Sequence, residues 1–186
     1  MKATYEAASI GLDEASVRTA DDGLEGFLQE RSRALKQPVT VQEFVSGYEV
    51  EVPVFELNNP FALGAAGIRL EDADRLGERV LTFETVGRDD YQFYDFYELN
   101  PRTSEEICRA AEQVFEAIGM RGIGRIDFRI RDTGQWYVTD VTDNPHLTPH
   151  GSVASCVQWH GFEYKDVMRS MIGLNCNRLG WTDTLR

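Results

Sequence analysis

One stretch in the second half of the chain decides the fold: Gly124-Arg125-Ile126-Asp127-Phe128-Arg129-Ile130. Apolar and charged residues alternate strictly here, which is typical of a β-strand with one face towards a core. After a turn at residues 132–135 follows a second strand, Trp136-Tyr137-Val138-Thr139-Asp140-Val141-Thr142. The two strands predict an antiparallel hairpin, and a tight turn would place Asp127 and Asp140 on one face.

Two facing carboxylates repel each other unless a cation or a proton lies between them. Asp127 and Asp140 therefore predict a site for Mg²⁺, which prefers hard oxygen ligands. The set would be completed by one of three nearby residues: Thr142, Asp143 or Asn144. Arg125 shares the face of Asp127 and is placed to contact a phosphate or a developing anion. From spacing alone, a surface hairpin with ordinary charged positions also explains the stretch.

Helices are predicted on both sides of the hairpin. Apolar residues at three- and four-residue steps predict helices over residues 20–37, 103–119 and about 162–173. For the middle helix, Thr103 and Glu106 predict a capping box, and Gly119 predicts the C-terminal end. Asp21 and Asp22 suit the start of the first helix.

The segments between these helices predict strands and a long irregular region. Residues 39–45 and 48–55 predict two strands joined by a turn, and Pro53 favours an edge or irregular position. Residues 57–102 are acidic and hard to assign; they predict a solvated loop with aromatic anchors or a mobile lid. Within them, residues 91–97 suit either a strand or a stacking loop.

Composition limits the class of protein. The 186 residues carry 31 acidic and 19 basic side chains, a net charge of −12, and 42% of them are hydrophobic. This is enough apolar material for a packed core, and the negative charge argues against nucleic-acid binding. There is no apolar run long enough for a membrane span. The three isolated cysteines indicate neither a disulfide framework nor a zinc knuckle, and a reducing cytoplasm suits them best.

Two further patterns suggest a nucleotide site. Lys2 precedes a loop of small residues ending at Gly11, and such loops allow backbone N–H groups to approach phosphate closely, although an ordinary flexible start is the alternative. Residues 42–45 offer a strand edge to an adenine base, and Glu49 offers a carboxylate to ribose hydroxyls; a plain strand pair is the alternative. His146 and His150 leave open a metal hydrolase, weakened by the flanking prolines.

In this order the three patterns resemble the ATP-grasp superfamily, most closely the D-alanine–D-alanine ligases. Residues 2–11 are similar to that family's K-P-x-x-E-G-S-S-x-G loop, residues 41–49 to its V-E-x-[FW]-[IL]-x-G-x-E linker, and residues 124–145 to G-R-x-D followed by G-x-x-Y-x-x-E-x-N-x-x-P. The resemblance implies an α+β, ATP-grasp-type fold with an antiparallel sheet and packed helices. It divides the chain into the remainder of the small subdomain, 1–56, and the C-terminal subdomain, 57–186.

The resemblance also implies a function and its residues. ATP would phosphorylate a carboxylate, and an amine would then attack the acyl phosphate, joining small amino acids or peptides. The nucleotide contacts implied are Lys2 and Ser9 to phosphates, Gln42, Glu43 and Val45 to adenine, and Glu49 to ribose. Arg125 would stabilise the transition state, and Mg²⁺ would be held by Asp127, Asp140 and Thr142.

The departures from the family pattern suggest an alternative. Asp140 and Thr142 stand where the family has Glu and Asn, and His146 replaces a glycine. The family's N-terminal substrate domain has no counterpart here, so we expect a partial fold, completed by a partner chain or in a homodimer. The alternative is a non-catalytic nucleotide-binding or protein-interaction domain of the same ancestry.

Overall fold

The computed structural model describes residues 1–56 and 58–181. In chain order its elements are β1 (Lys2–Ala3), α1 (Leu24–Leu35), β2 (Val39–Thr40), β3 (Tyr48–Glu56), β4 (Pro60–Ala62), β5 (Ala66–Arg69), α2 (Phe83–Arg88), β6 (Gln92–Asp95), α3 (Phe96–Leu99), α4 (Pro101–Ala117), β7 (Ile123–Ile130), β8 (Trp136–Thr142), α5 (Ser152–Trp159) and α6 (Tyr164–Arg178). No helix within the described ranges is long and apolar enough to cross a membrane.

Six strands form one antiparallel sheet in the order β6-β5-β3-β7-β8, with β4 paired to β3 beside β5. The longest pairing joins β3 to β7, from Tyr48 opposite Ile130 to Phe55 opposite Ile123. Strands β1 and β2 form a separate antiparallel pair. The predicted α+β class and the predicted hairpin of β7 and β8 are confirmed, whereas the division of the chain at residue 56 stays a prediction.

The main core lies between this sheet and α4. Side chains of β3 and β7 meet those of the helix in a fully buried cluster, whose centre is formed by Val50, Val52, Val54, Ile107, Ala111, Phe115, Ile126, Phe128 and Ile130. The predicted apolar face of α4 is therefore confirmed. Because every second residue of β3 and β7 faces this core, the charged residues between them lie on the opposite face of the sheet.

Pro53 contradicts the prediction of an edge or irregular position, because it is fully buried in the middle of the central strand β3. Proline lacks a backbone N–H group, but no hydrogen bond between strands is lost at this position. The Pro53 carbonyl accepts from the Leu63 N–H at 2.9 Å, so this side of the residue faces the gap between β4 and β5. A proline is tolerated in a central strand where the neighbouring strand is interrupted.

The linker before β3 is less regular than predicted. Only Val39 and Thr40 of the expected strand 39–45 pair with another strand, and residues 41–46 belong to no strand. At Gly47 the chain enters the sheet with a φ of +145°, and an added Cβ would lie 1.9 Å from the Ile130 carbonyl oxygen. This close approach of two backbones requires glycine.

The helix ends also differ in part. The cap of α4 is Asn100, whose side chain accepts from the Thr103 N–H at 3.2 Å, so the predicted capping box at Thr103 is wrong. Gly119 has a φ of +71° just past the helix end, as predicted. Asp21 accepts from the Gly23 N–H at 3.0 Å, immediately before α1. Helix α5 was not predicted, and α6 is longer than predicted.

Candidate functional site

Three carboxylates form a row across the face of the sheet opposite α4. Glu51 of β3 is directly opposite Asp127 of β7, and Asp127 is directly opposite Asp140 of β8. Directly paired residues of antiparallel strands have their side chains on the same face. The sequence predicted only part of this row. The hairpin pattern indicated Asp127 and Asp140, but not Glu51.

A β-bulge sets the position of Asp140. Phe128 pairs with Val138, but the next pair along the strands is Asp127 with Asp140, so Thr139 is an extra residue in β8. The Thr139 hydroxyl donates to the Asp127 carbonyl at 3.2 Å. Bulges of this kind commonly redirect a side chain beside a functional site.

Arg125 lies between two of the three carboxylates. It donates to both oxygens of Asp127, from Nε at 2.7 Å and from Nη2 at 2.8 Å. Its Nη1 atom is 3.3 Å from Oε2 of Glu51. The Arg125 side chain is 18% exposed, and charge-assisted bidentate bonds are strong in such surroundings.

Burial shifts the pKa values of Glu51, Asp127 and Arg125. It raises the pKa of Glu51 to about 7, although Arg125 opposes the rise. Burial raises the pKa of Asp127 as well, again against the effect of Arg125. Burial also disfavours the charged form of Arg125, but the two carboxylates outweigh it and the pKa of Arg125 is raised. The arginine is therefore a fixed cation of the site.

Lys2 approaches the same row from the small sheet. Its Nζ atom donates to the Thr139 carbonyl at 3.2 Å and lies 3.9 Å from Oδ1 of Asp140. The pairing of Lys2 with Thr40 holds β1 in this place. The predicted lysine and the predicted aspartates therefore lie together, although 125 or more residues separate them in the chain.

The donor set suits a magnesium ion that arrives with phosphate. No group of three or more His, Cys, Asp or Glu side chains in residues 1–56 and 58–181 is arranged to hold a metal. Magnesium, however, usually binds one or two carboxylates together with substrate phosphates rather than an all-protein cage. Asp127 and Asp140, paired on one face, supply two such carboxylates. The hydroxyl of Thr142 accepts from the Asn144 N–H at 3.4 Å.

The residues expected to contact adenine lie in the linker before β3. Gln42 and Glu43 are exposed and Val45 is buried. The Glu43 carboxylate pairs with Nη2 of Arg131 at 2.9 Å. Residues 41–46 belong to no strand, so their backbone N–H and C=O groups are not used in strand pairing. The sequence pattern had predicted a strand edge here.

Glu49, the expected ribose ligand, lies on the same face as the acidic row. Its carboxylate forms an ion pair with Nη2 of Arg129 at 2.9 Å. Burial raises the pKa of Glu49, and Arg129 opposes this. Arg129 was not predicted as a functional residue. The sequence indicates only that it shares a strand face with Arg125 and Asp127.

Two segments outside the sheet lie next to each other. The loop that contains Ser9 has left-handed backbone at Ala8, Ser9 and Gly11, with φ of 52°, 56° and 79°. The segment between β5 and β6 includes α2, and its Phe83 N–H donates to the Leu12 carbonyl at 3.2 Å. The predicted lid region is therefore hydrogen-bonded to Leu12, the residue that follows the predicted phosphate loop.

Comparison with known sequences supports these assignments of fold. Residues 1–173 match the family model described as "D-ala D-ala ligase C-terminus". A D-alanine–D-alanine ligase of Saccharophagus degradans is 25% identical over 172 residues, covering 92% of this chain and 51% of that protein. One from Levilactobacillus brevis is 25% identical over 186 residues, covering 100% of this chain and 47% of that protein. The chain thus spans about half the length of these relatives.

Solved structures show the same fold. The D-alanine–D-alanine ligase of Bacillus anthracis, crystallised with ATP, superposes with a TM-score of 0.63 at 16% identity, covering 83% of this chain and 47% of that one. The VanG D-Ala:D-Ser ligase of Enterococcus faecalis gives 0.62 at 17% identity, covering 83% and 43%. The architecture is that of the C-terminal half of an ATP-grasp enzyme, and the chain belongs to the D-alanine–D-alanine ligase C-terminal family.

Proposed function

We propose that the chain is the nucleotide-binding part of an ATP-dependent carboxylate–amine ligase. One observation carries the proposal: Lys2 lies beside Asp140 and Arg125 lies between Glu51 and Asp127, so cations and carboxylates alternate along one face, as a site for a polyphosphate and its metal requires. Positioning and electrostatic stabilisation are what phosphoryl transfer chiefly requires. Family membership supports the same activity.

The nucleotide would lie along the face that carries this row. Gln42 would contact adenine through its side chain, and Glu43 and Val45 through their backbone, while Glu49 would bind ribose hydroxyls. Lys2 and the backbone around Ser9 would contact the phosphates. The left-handed backbone at Ser9 suits this role, since turns of this kind direct N–H groups towards an anion.

Magnesium would be held by Asp127 and Asp140, with Thr142 as a further oxygen ligand. When bound, it would neutralise phosphate charge during transfer of the γ-phosphoryl group to a carboxylate. Arg125 would then exchange part of its contact with Asp127 for the phosphoryl oxygens and stabilise their charge. The proposed acid and amine are small amino acids or peptides. A second chain or a second copy that completes the enzyme stays a prediction.

Calorimetry with ATP and Mg²⁺ tests the nucleotide site. We expect saturable, Mg²⁺-dependent binding that Lys2→Met weakens at least tenfold, because the variant removes a phosphate contact. Arg121→Met is the matched control: Arg121 pairs with Glu56 at the surface, with 67% of its side chain exposed. Absence of binding by the unchanged chain, or equal affinities for the unchanged chain and Lys2→Met, would contradict the proposal.

A second candidate is a non-catalytic nucleotide-binding or protein-interaction domain. The shorter Asp140, Thr142 in place of an amide ligand, and the engagement of both Asp127 oxygens by Arg125 favour it. The two candidates differ in turnover. Once a second chain or copy completes the enzyme, amino-acid-dependent release of phosphate from ATP would favour the ligase, whereas binding of ATP without phosphate release in that complete assembly would favour the non-catalytic domain.

A further inference from the structure

One buried side chain, that of Arg129, joins four separate parts of the chain. It projects from β7 and is 6% exposed. Its partners lie on β3, on the linker before β3, and on the loop that precedes α2. Within residues 1–56 and 58–181, Arg129 is the charged side chain of β7 that contacts both the linker and this loop.

The first two contacts fix Arg129 against the expected base and ribose positions. Arg129 is directly opposite Glu49 in the sheet, and its Nη2 atom is 2.9 Å from Oε2 of Glu49. The guanidinium lies over the ring of Phe44, 4.8 Å from the ring centroid. A cation over an aromatic face is attracted to it, so the Phe44 ring also holds the guanidinium in place.

The remaining contacts reach the loop before α2. Nη2 donates to the Arg79 carbonyl at 2.6 Å, and Nη1 lies 3.5 Å from the Gly77 carbonyl. Gly77 in turn exchanges two backbone hydrogen bonds with Gly47 at the end of the linker, at 2.9 and 3.1 Å. Arg129 thus supports the point at which this loop is attached to the linker.

We propose that Arg129 is a positioning residue that orients the Glu49 carboxylate and fastens residues 77–79 to the linker, and that it thereby sets selectivity for a nucleotide's ribose hydroxyls. The ribose part of this inference rests on the proposed function. The guanidinium fixes the side chain of Glu49 by charge, and the two carbonyl contacts fix the guanidinium itself. Loss of Arg129 frees the carboxylate and loosens the loop together.

Hydrogen exchange tests the attachment without any nucleotide. We expect Arg129→Met to speed exchange of the Gly47 and Gly77 amides at least tenfold relative to the Ala111 amide in α4, which corrects for a change in global stability. Arg129→Lys, which keeps the charge and the fold, should change the same two amides by a smaller factor. Arg121→Met should leave both unchanged. Unchanged relative exchange at Gly47 and Gly77 in both Arg129 variants would overturn the attachment.

Nucleotide selectivity tests the orientation of Glu49. We expect the unchanged chain to bind ATP several-fold more tightly than 2′,3′-dideoxy-ATP. In Arg129→Met and in Glu49→Gln this ratio should fall to about 2 or less, with no further fall in the double variant, because both act on one interaction. A purely structural role would weaken both nucleotides alike and preserve the ratio. If the unchanged chain binds neither nucleotide, the proposed function fails, while the exchange experiment still decides the attachment.

Discussion

At the scale of single residues, Arg125 stabilises the protein as well as the candidate site. It neutralises Glu51 and Asp127, two carboxylates whose side chains are 10% and 13% exposed. Removing this guanidinium leaves both buried carboxylates without their Arg125 ion pairs. We expect Arg125→Met to lower the free energy of unfolding by about 3 kcal/mol, measured by urea denaturation.

Arg121→Met is the control for this prediction. Its ion pair with Glu56 is exposed, so we expect a loss of at most about 1 kcal/mol. Equal losses in the two variants would show that the buried position of Arg125 contributes nothing beyond an ordinary surface pair.

Glu51 should make stability depend on pH. Its pKa is raised from 4.5 to about 7 in the folded chain, so between these values the folded state binds more protons than the unfolded one. The corresponding contribution to stability is present below the unfolded pKa and is lost as the pH rises through the folded pKa. We expect the unfolding free energy to fall between about pH 5 and pH 8, and to fall less steeply in Glu51→Gln.

Glu56→Gln provides the contrast. Hydrogen bonds from Gly122 and Arg121 lower the pKa of Glu56, so its titration affects stability only below its ordinary range. Above about pH 5, the unfolding free energy of Glu56→Gln should therefore change with pH in parallel with that of the unchanged chain. A parallel curve for Glu51→Gln as well would assign the pH dependence to other groups.

The predictability of the site also differs from residue to residue. Asp127 and Asp140 were predicted because both belong to one hairpin, but the turn alone would place Thr139 opposite Asp127, and the β-bulge at Thr139 brings Asp140 there instead. Glu51 and Arg129 were missed because their partners lie on strands far apart in sequence. The β3–β7 register that brings Glu51 to Asp127 and Glu49 to Arg129 is set by packing of the whole sheet.

At the scale of elements, the start of α4 separates two interpretations of the same sequence. The cap is Asn100, with Pro101 in the first turn, and not the Thr103–Glu106 box. We expect Asn100→Ala to lower the unfolding free energy by about 1 kcal/mol, since it removes the acceptor for the Thr103 N–H. Thermal or urea denaturation measures the change.

Glu106→Ala tests the interpretation that the structure rejects. Its carboxylate pairs with Arg102, a largely exposed side chain one turn earlier, at 3.0 Å. The expected loss is therefore about 0.5 kcal/mol or less. A larger loss from Glu106→Ala than from Asn100→Ala would restore the capping box.

Strands and long helices were predicted where the apolar pattern is periodic, as in α4 and β7. The pattern failed where tertiary contacts override it. Pro53 is accepted in a central strand because the neighbouring strand is interrupted there, and residues 41–46 belong to no strand although their sequence pattern favours one. Neither outcome is visible before the strands are assembled.

At the scale of the whole molecule, both faces of the sheet are covered. One face packs on α4 in the main core. The other carries the charged row and also packs against α5, whose Val153 and Val157 form a second buried cluster with Phe55 and Ile123. Only the first face was predicted, because its apolar pattern is regular. The covering of the second face includes α5, a short helix that the apolar pattern did not predict.

This arrangement predicts how nucleotide binding changes the stability of the whole chain. A ligand that binds only the folded state at a concentration 100 times its Kd adds about 2.7 kcal/mol. For a chain of this size that raises the Tm by roughly 5–10 °C. We expect ATP with Mg²⁺ to produce such a shift in scanning fluorimetry, and a tenfold weaker affinity in Lys2→Met to remove about half of it, since Lys2 lies beside Asp140 at the edge of the row. Arg121→Met should retain the full shift. An equal shift in Lys2→Met would place the nucleotide elsewhere on the molecule, away from the face that carries Glu51, Asp127 and Asp140.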